Sequence, residues 1–308
     1  MDEVLVTGCA GFIGSNVVDK LLEKGYRVIG MDNFADYYPR EIKEKNISGA
    51  MRHENFDFVE GDILTATLPK VDYIIHEAAQ AGVRTSWGKS FGVYTKNNIL
   101  ATQRLLEFYK DAGIKKFVYA SSSSVYGVAE LPMKEDALLK PISPYGVSKL
   151  AAEHLCYLYY ESYGMSTITL RYFTVYGPRQ RPDMAINRFA HALLNDEEIC
   201  VFGDGEQTRD FTYVSDVVNA TIRGMKSDVE GEVFNIGRGS QISINALISL
   251  MEDVFEKDAK VRYAESQVGD VRDTLADTEK AKRLGWKPKT ALKEGLKNYA
   301  EWTYKERL

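Results

Sequence analysis

Short runs of apolar residues recur along the first half of the chain, separated by segments long enough to form helices. The runs lie at residues 4–6, 27–31, 56–59, 73–76, 117–120 and 167–172, and Gly, Asp or Asn residues bound them. They lack the alternation of a half-exposed strand, so we expect parallel strands that are buried on both faces. The intervening segments, such as 12–24 and 98–112, carry apolar residues at helical spacing. This order predicts an α/β fold built on a doubly wound parallel sheet.

The pattern changes after Gly177, where prolines and a Gly203-Asp-Gly205 turn separate shorter elements. We expect residues 1–175 to form the first domain and residues 176–308 to form a second, smaller α/β lobe. The run at 232–236 again has the character of a buried strand. Segments near 208–222 and 231–238 are therefore expected to return to the first domain. Further helices are predicted at 244–255 and 292–304.

The composition is that of a globular protein, with 44% hydrophobic and 27% charged residues. A net charge of −5, without a basic stripe, argues against nucleic acid as a partner. No apolar stretch approaches the roughly 18 residues of a membrane-spanning helix, and the N-terminus lacks the basic region of a signal peptide. Three well-separated cysteines without a CxxC pair predict neither a disulfide framework nor a metal site, and favour a reducing, cytoplasmic location.

A glycine-rich loop, Gly8-Cys-Ala-Gly11-Phe-Ile-Gly14, follows the first predicted strand and opens the first predicted helix. Glycines there allow a tight turn and let backbone N–H groups approach a pyrophosphate, as in a Rossmann domain. Asp32 ends the second strand, near the spacing at which an acid binds the adenosine ribose of a dinucleotide. Because a carboxylate repels a 2′-phosphate, we expect NAD rather than NADP. Asp62, at the end of the third strand, either contacts the adenine or only terminates a turn.

A tyrosine and a lysine stand four residues apart in Tyr145-Gly-Val-Ser-Lys149, at the start of a predicted helix. That spacing places both side chains on one helical face. A nearby ammonium and a positively charged nicotinamide lower the pKa of a phenol, which then removes a hydroxyl proton as hydride leaves the same carbon. Ser122 lies in a serine-rich run at the carboxyl end of a strand, where open α/β sheets bind their ligands.

Together these motifs resemble those of the extended short-chain dehydrogenase/reductases, in their nucleotide-sugar epimerase branch. The matching segments occur in order over nearly the whole chain: Thr7-Gly-Cys-Ala-Gly-Phe-Ile-Gly14, Asp32-Asn33, His76-Glu-Ala-Ala79, Asn97-Asn98, Ser121-Ser-Ser-Ser-Val-Tyr-Gly127, Tyr145-xxx-Lys149, Arg171-Tyr-Phe-Thr-Val-Tyr-Gly-Pro178, Gly203-Asp-Gly205, Arg209-Asp-Phe-Thr-Tyr-Val214 and Gly269-Asp-Val271. The resemblance implies a catalytic set of Ser122, Tyr145 and Lys149, a bound NAD and a UDP-sugar substrate. It also implies a homodimer that pairs helices 98–112 and 145–163 in a four-helix bundle.

The same resemblance implies which residues contact each ligand. The residues expected at NAD are Gly8, Gly11, Phe12, Ile13, Gly14, Asp32, Asn33, Asp62, Ile63, Ala79, Asn97, Tyr145, Lys149 and Tyr172. The residues expected at the UDP-sugar are Ser122, Ser123, Thr174, Arg181, Asn187, Val201, Phe202, Arg209 and Asp270. Of the second set, Arg209 and Asp270 are assigned to the UDP phosphate and ribose, and the segment 199–202 is expected to flank the uracil.

The residues after Ser122 distinguish the reactions of this family. Members that form 4-keto-6-deoxy sugars resemble one another in carrying Asp-Glu there, and UDP-glucuronate decarboxylases are similar, with Glu at the second position. Here Ser123 and Ser124 provide no ionisable group for acid–base work at C5 or C6. Oxidation and re-reduction at C4 remain, which is epimerisation. The alternatives from other classes are a non-catalytic NAD-binding sensor and an NADP-linked reductase.

The identity of the sugar is less determined. Segments 32–38 and 177–184 resemble those of UDP-glucuronate 4-epimerases, and Arg181 offers two parallel donors to a C6 carboxylate. Thr274 aligns with a position where bulkier residues in the family exclude a 2-acetamido group, so UDP-N-acetylglucosamine also fits. UDP-glucose is the third choice. Gln267 stands where many hexose epimerases have a UDP-binding arginine, which weakens a direct transfer from those relatives.

Overall fold

Parallel strands and helices alternate through most of the chain, which a computed structural model describes over residues 1–307. The strands are β1 Glu3–Thr7, β2 Arg27–Asp32, β3 Phe56–Glu60, β4 Tyr73–His76, β5 Lys116–Ser122, β6 Thr167–Tyr172, β7 Thr174–Tyr176, β8 Glu198–Phe202, β9 Thr208–Arg209, β10 Phe211–Tyr213, β11 Glu232–Ile236, β12 Ile242–Ser243 and β13 Lys260–Ala264. The helices are α1 Phe12–Glu23, α2 Arg40–Ile47, α3 Phe91–Tyr94, α4 Ala101–Tyr109, α5 Pro144–Tyr163, α6 Ala185–Asn195, α7 Val214–Lys226, α8 Ile244–Phe255 and α9 Leu292–Arg307. Within this described part of the chain, no helix has both the length and the apolar character that crossing a bilayer requires.

The main sheet has seven strands in the order β11-β6-β5-β4-β1-β2-β3, and every neighbouring pair is parallel. All six strands predicted from the apolar runs are present in it. The strand order reverses direction between β1 and β4, and the carboxyl ends of these strands form the crevice where such sheets bind ligands. The prediction of a doubly wound parallel sheet is confirmed.

Helices bury both faces of this sheet. On one face α1 and α7 pack against β1, β6 and β11 through fully buried side chains such as Val17, Val217 and Phe234. On the other face α4 and α5 pack through Leu105 and Cys156. A π-helical segment, Thr95–Leu100, joins α3 to α4, so the predicted helix at 98–112 is helical but irregular at its start and ends at Tyr109. Residues 110–112 form turns before Gly113, whose φ of +69° suits a helix terminus.

A second hydrophobic cluster joins α6, α8 and α9 to the parallel pair β8–β13. Its buried side chains include Ile186, Leu247, Met251 and Leu296. The chain passes between the two clusters more than once, because α7 and β11 belong to the main sheet's layers although they follow β10. The sheet thus includes Glu232–Ile236, while the division at residues 175/176 stays a prediction.

Candidate functional site

The glycine loop makes a tight turn between β1 and α1. Gly8 has a φ of +69°, and a Cβ at this position would lie 2.7 Å from the backbone nitrogen of Ala78. A Cβ on Gly14 would lie 2.2 Å from the carbonyl oxygen of Gly8. Gly11, which precedes α1, supplies no capping side chain. The first N–H groups of α1 are therefore available to an anion in the crevice, as dinucleotide binding requires.

Asp32 ends β2 on the opposite side of the same crevice. Its Oδ2 accepts the Ala10 N–H at 3.1 Å and its Oδ1 accepts the Phe34 N–H at 2.9 Å. Burial raises the pKa of Asp32, and these two backbone N–H groups act in the opposite direction. Each oxygen keeps acceptor capacity, so the carboxylate is able to bind a ribose diol in a fixed orientation.

One cleft at the carboxyl ends of β1, β2 and β4 is lined by every residue that the sequence assigned to NAD. The set includes Asn97, from the π-helical segment, and Tyr172, from the end of β6. Sequence reasoning missed further lining residues, among them the polar side chains of Tyr37, Lys43, Glu77 and Gln80. A glycine turn without side chains, a free helix N-terminus and a buried acid fit the pyrophosphate and adenosine ribose of NAD.

The predicted catalytic residues converge at the mouth of this cleft. Ser143 caps α5, since its Oγ accepts the Gly146 N–H at 3.1 Å, and this fixes Tyr145 and Lys149 one turn apart on the same helix. Ser122, at the end of β5, forms a side-chain hydrogen bond with Tyr145. Lys149 donates from Nζ to the Ala120 carbonyl at 2.6 Å. Tyr145 and Lys149 thus line the NAD cleft, and Ser122 lies beside Tyr145.

The protein alone does not lower the pKa of the Tyr145 phenol; the lowering expected from Lys149 and a positively charged nicotinamide together stays a prediction. Burial raises the pKa of Tyr145, and the hydrogen bond from Ser122 and the charge of Arg181 offset only part of this rise. Burial also lowers the pKa of Lys149 to about 8. Removal from water is the physical reason for both shifts, because it penalises the charged phenolate of Tyr145 and the charged ammonium of Lys149.

A second cleft, of about 910 Å³, opens beside the first between the sheet and the second lobe. Phe12, Ile13, Tyr145, Tyr172 and Arg181 line both clefts, so the two meet at the catalytic tyrosine. The residues that the sequence assigned to the UDP-sugar and that line the second cleft are Ser122, Ser123, Thr174, Arg181, Val201, Phe202, Arg209 and Asp270.

Cations surround the far part of the second cleft. Arg84, which sequence reasoning missed, pairs with Asp270 at 2.6 Å and lies over the Phe202 ring at 4.3 Å. Arg188, also missed, lies 5.9 Å from the centre of the same ring. Arg209 is held by the carbonyl groups of residues 208, 271 and 272. Two guanidinium groups over one aromatic ring, with a third lining the same cleft, suit a pyrophosphate next to a planar base.

Arg181 lies close enough to Tyr145 to influence its pKa, but its two parallel donors are already engaged. Its Nε and Nη2 donate to the two carboxylate oxygens of Asp183 at 3.0 and 3.1 Å. Tyr37 also donates to Asp183, at 3.1 Å. A substrate carboxylate therefore meets an arginine whose guanidinium already donates to Asp183, which the sequence did not predict.

Asn187 is not among the residues that line either cleft, so its contact with the substrate stays a prediction. Its Nδ2 donates to the Gln180 carbonyl at 2.8 Å, so on α6 it supports the loop that carries Arg181. Thr274 is also remote from the clefts, since it is buried and its Oγ1 accepts the Asp210 N–H at 3.2 Å. Gln267 does line the second cleft, at an exposed position.

Comparison with known proteins agrees with the fold. A family model described as GDP-mannose 4,6 dehydratase matches residues 5–299. A curated UDP-glucuronate 4-epimerase of Thermodesulfobacterium geofontis is 42% identical over 313 residues, covering 98% of this chain and 96% of that protein.

Solved structures are similar over the same extent. A UDP-glucuronic acid 4-epimerase from Bacillus cereus, crystallised with UDP-glucuronic acid and NAD, has a TM-score of 0.96 and 42% identity, and 99% of each chain is covered. A UDP-N-acetylglucosamine 4-epimerase from Methanobrevibacter ruminantium has a TM-score of 0.92 and 35% identity, again with 99% of each chain covered. With these likenesses, the glycine turn and the Tyr145–Lys149 helix, the chain belongs to the extended short-chain dehydrogenase/reductase family matched by the GDP-mannose 4,6 dehydratase model.

Proposed function

We propose that this protein is an NAD-dependent UDP-sugar 4-epimerase whose preferred pair is UDP-glucuronate and UDP-galacturonate. The observation that carries the proposal is the junction of the two clefts at Tyr145, with Ser122 bonded to it and Ser123 and Ser124 beside it. Acid–base groups for dehydration or decarboxylation are missing at positions 123 and 124. The Thermodesulfobacterium and Bacillus relatives, both UDP-glucuronate 4-epimerases, support the same choice.

The chain's own residues perform the proton transfer at the C4 oxygen. Tyr145 removes the hydroxyl proton after the positive charges of Lys149 and of bound nicotinamide have lowered the pKa of its phenol, and Ser122 binds the same oxygen and keeps it in line with the phenol. NAD⁺ held in the first cleft by the glycine turn and Asp32 would supply the hydride acceptor and donor for C4, with the hydride returning to the opposite face of the sugar. Tyr145 then returns its proton, so no net oxidation or reduction occurs. The second cleft, at about 910 Å³, gives the sugar room to turn about its pyrophosphate link.

Arg181 supports the choice of a uronate, because it stands at the junction of the clefts beside Tyr145. We expect Arg181→Ala to lower kcat/KM for UDP-glucuronate by about 10- to 100-fold, the value of one charge-assisted hydrogen bond. With UDP-glucose, which lacks the carboxylate, the loss is expected to be much smaller. Initial rates with both sugars measure the difference.

Arg188→Ala is a matched control, since Arg188 also lines the second cleft but lies over Phe202, at the end where the uracil is expected. It is expected to reduce kcat/KM for both sugars alike. Equal losses in Arg181→Ala for UDP-glucuronate and UDP-glucose would contradict the recognition of the carboxylate by Arg181.

A second candidate substrate is UDP-N-acetylglucosamine, favoured by the likeness to the Methanobrevibacter enzyme. Thr274 no longer bears on this choice, because its buried side chain faces Asp210 and not the cleft. Assays with the three UDP-sugars side by side separate the candidates. A sugar-dependent absorbance change of the bound nicotinamide separates an epimerase from a non-catalytic NAD-binding sensor.

We also propose a cytoplasmic homodimer that pairs the segments 98–112 and 145–163. Large apolar side chains are exposed along these helices, with Leu100, Phe108, Leu158 and Tyr163 each about half exposed. Tyr159, by contrast, is buried and donates to Glu107, so it is not part of that surface. Burial of such a face drives association. Light scattering of the wild type is expected to give twice the chain mass. Phe108→Glu is expected to give a monomer. A wild-type monomer at assay concentration contradicts the dimer.

A further inference from the structure

Glu77, which follows β4, is a carboxyl group in the NAD cleft that the proposed reaction does not use. Its Oε1 lies 2.8 Å from the Tyr172 hydroxyl, and that hydroxyl lies 2.7 Å from Oγ1 of Thr221 on α7. Thr221 Oγ1 also lies 2.9 Å from the Val217 carbonyl oxygen. The three side chains form a hydrogen-bonded chain that ends on a helix carbonyl.

The hydroxyl and carboxyl hydrogens of this hydrogen-bonded network have two consistent arrangements. When Glu77 is ionised, Tyr172 donates its hydrogen to the carboxylate and Thr221 donates to Tyr172. When Glu77 is protonated, it donates to Tyr172, Tyr172 donates to Thr221, and Thr221 donates to the Val217 carbonyl. Both arrangements keep every contact between the side chains. The hydrogen-bonded network therefore accommodates Glu77 in either charge state without a rotamer change.

The nearby charges give Glu77 a specific partner. Two buried cations, Lys149 and Arg171, lie under the active site, but Glu153 is already bonded to Arg171, at 2.8 Å. The other contacts of Lys149 are neutral, namely the Ala120 carbonyl and the face of the Tyr119 ring at 4.8 Å. Glu77 and Lys149 line the same cleft, and of the two carboxyl groups whose charge acts on Lys149, Glu77 is the one without a cation of its own.

Few other groups near this pair change charge close to neutral pH. Lys149 lowers the pKa of His76 on β4, which burial already lowers, and the resulting value of about 3 keeps this imidazole neutral. Burial raises the pKa of Tyr119 on β5 and of Cys156 on α5, so both stay neutral as well. Tyr145 and Tyr172, which also face Glu77, have raised pKa values too. What titrates near neutrality is Glu77, whose pKa burial raises to about 7, and Lys149.

We propose that Glu77 is a positioning residue for catalysis: its carboxylate, held by Tyr172 and Thr221, keeps the Lys149 ammonium charged and fixed on the Ala120 carbonyl. This inference rests on the proposed epimerase, because Lys149 acts there beside Tyr145. Glu77 itself transfers no proton to the sugar. Its effect is on the pH range over which the catalytic lysine is a cation.

The test is the pH dependence of kcat/KM in Glu77→Gln, which keeps the size of the side chain and removes its charge. We expect the alkaline limb, where Lys149 loses its proton, to move down by about one pH unit, and kcat/KM at pH above that limb to fall about tenfold. Glu107→Gln is the matched control, because Glu107 also accepts a tyrosine hydroxyl, from Tyr159 at 2.6 Å, but lies at the surface away from Lys149. Its profile is expected to stay at the wild-type position. An unmoved alkaline limb in Glu77→Gln overturns the proposal.

A second measurement needs no turnover. A carboxyl whose pKa is higher in the folded than in the unfolded chain makes stability fall as pH rises between the two values. Ionisation of Glu77 therefore lowers the stability of the wild type as the pH rises from about 4.5 to about 7, and Glu77→Gln lacks this loss. The Tm of the variant minus that of the wild type is expected to become more positive from pH 5 to pH 8. A constant difference overturns the inference, whereas a wild type that epimerises no sugar while the Tm difference grows overturns only the proposed function.

Discussion

Tyr145→Phe is expected to lower kcat by about 10²- to 10⁴-fold while NAD remains bound. The substitution removes the one hydroxyl that is placed to exchange a proton with the C4 oxygen, and acid–base catalysis by a positioned group contributes an effect of this size. NAD retention is expected because the phenol is one of many groups along the cleft, and the glycine turn and Asp32 are unchanged. Steady-state epimerisation and the nucleotide content of the purified variant measure the two results.

Tyr157→Phe is the control for loss of a phenol from the same helix. Tyr157 lies on α5 but lines neither cleft, so the variant is expected to keep wild-type kcat. Substantial epimerase activity in Tyr145→Phe would remove Tyr145 from the mechanism and leave Ser122 as the remaining hydroxyl at the sugar.

Glu153→Ala is expected to destabilise the fold by about 3–5 kcal/mol, the cost of leaving a buried charge without its partner. Glu153 on α5 bonds Arg171 on β6 through both carboxylate oxygens and also accepts the Ser121 hydroxyl. Both charged residues are at most 5% exposed. The Arg171 guanidinium further donates to Tyr126 and to the Glu135 carbonyl, so it has no route to solvent. A lower urea midpoint with an unchanged m-value measures the loss.

The double variant Glu153→Leu/Arg171→Met separates an unpaired charge from lost packing. Because an apolar pair of similar volume avoids the desolvation cost of both ions, it is expected to recover most of the stability that Glu153→Ala loses. Asp196→Asn, which breaks an exposed ion pair with Lys260, is expected to keep the wild-type midpoint. A double variant no more stable than Glu153→Ala would assign the effect to packing and not to charge.

The sheet was predictable from sequence because parallel strands buried on both faces leave continuous apolar runs. The site was predictable to the extent that it follows the carboxyl ends of those strands: the glycine turn after β1, Asp32 after β2 and Ser122 after β5. A Tyr and Lys one turn apart need only a helix to share a face, and α5 provides it. Each of these inferences depends on local spacing.

What sequence reasoning missed depends on contacts between distant segments. No local pattern indicates that Tyr37 donates to Asp183 or that Arg84 pairs with Asp270. The pair of Arg181 with Asp183 spans only two residues, but sequence spacing does not show which carboxylate a guanidinium binds. Asn187 was expected at the substrate from the family resemblance alone, and in the structure its side chain donates to the Gln180 carbonyl. The raised pKa of Tyr145 could not be predicted from sequence either, because it is set by burial, which only the folded chain defines.

The edge strand β11 has a consequence for synthesis of the chain on the ribosome. β6 pairs with residues 232–236, and α7 covers the adjoining face, so both partners are translated long after the catalytic segment. A nascent chain of residues 1–175 presents an open strand edge and bare apolar side chains. Folding of the nucleotide-binding half is thereby delayed until most of the message has been read, and a chaperone that shields β6 during that interval would raise the yield of enzyme.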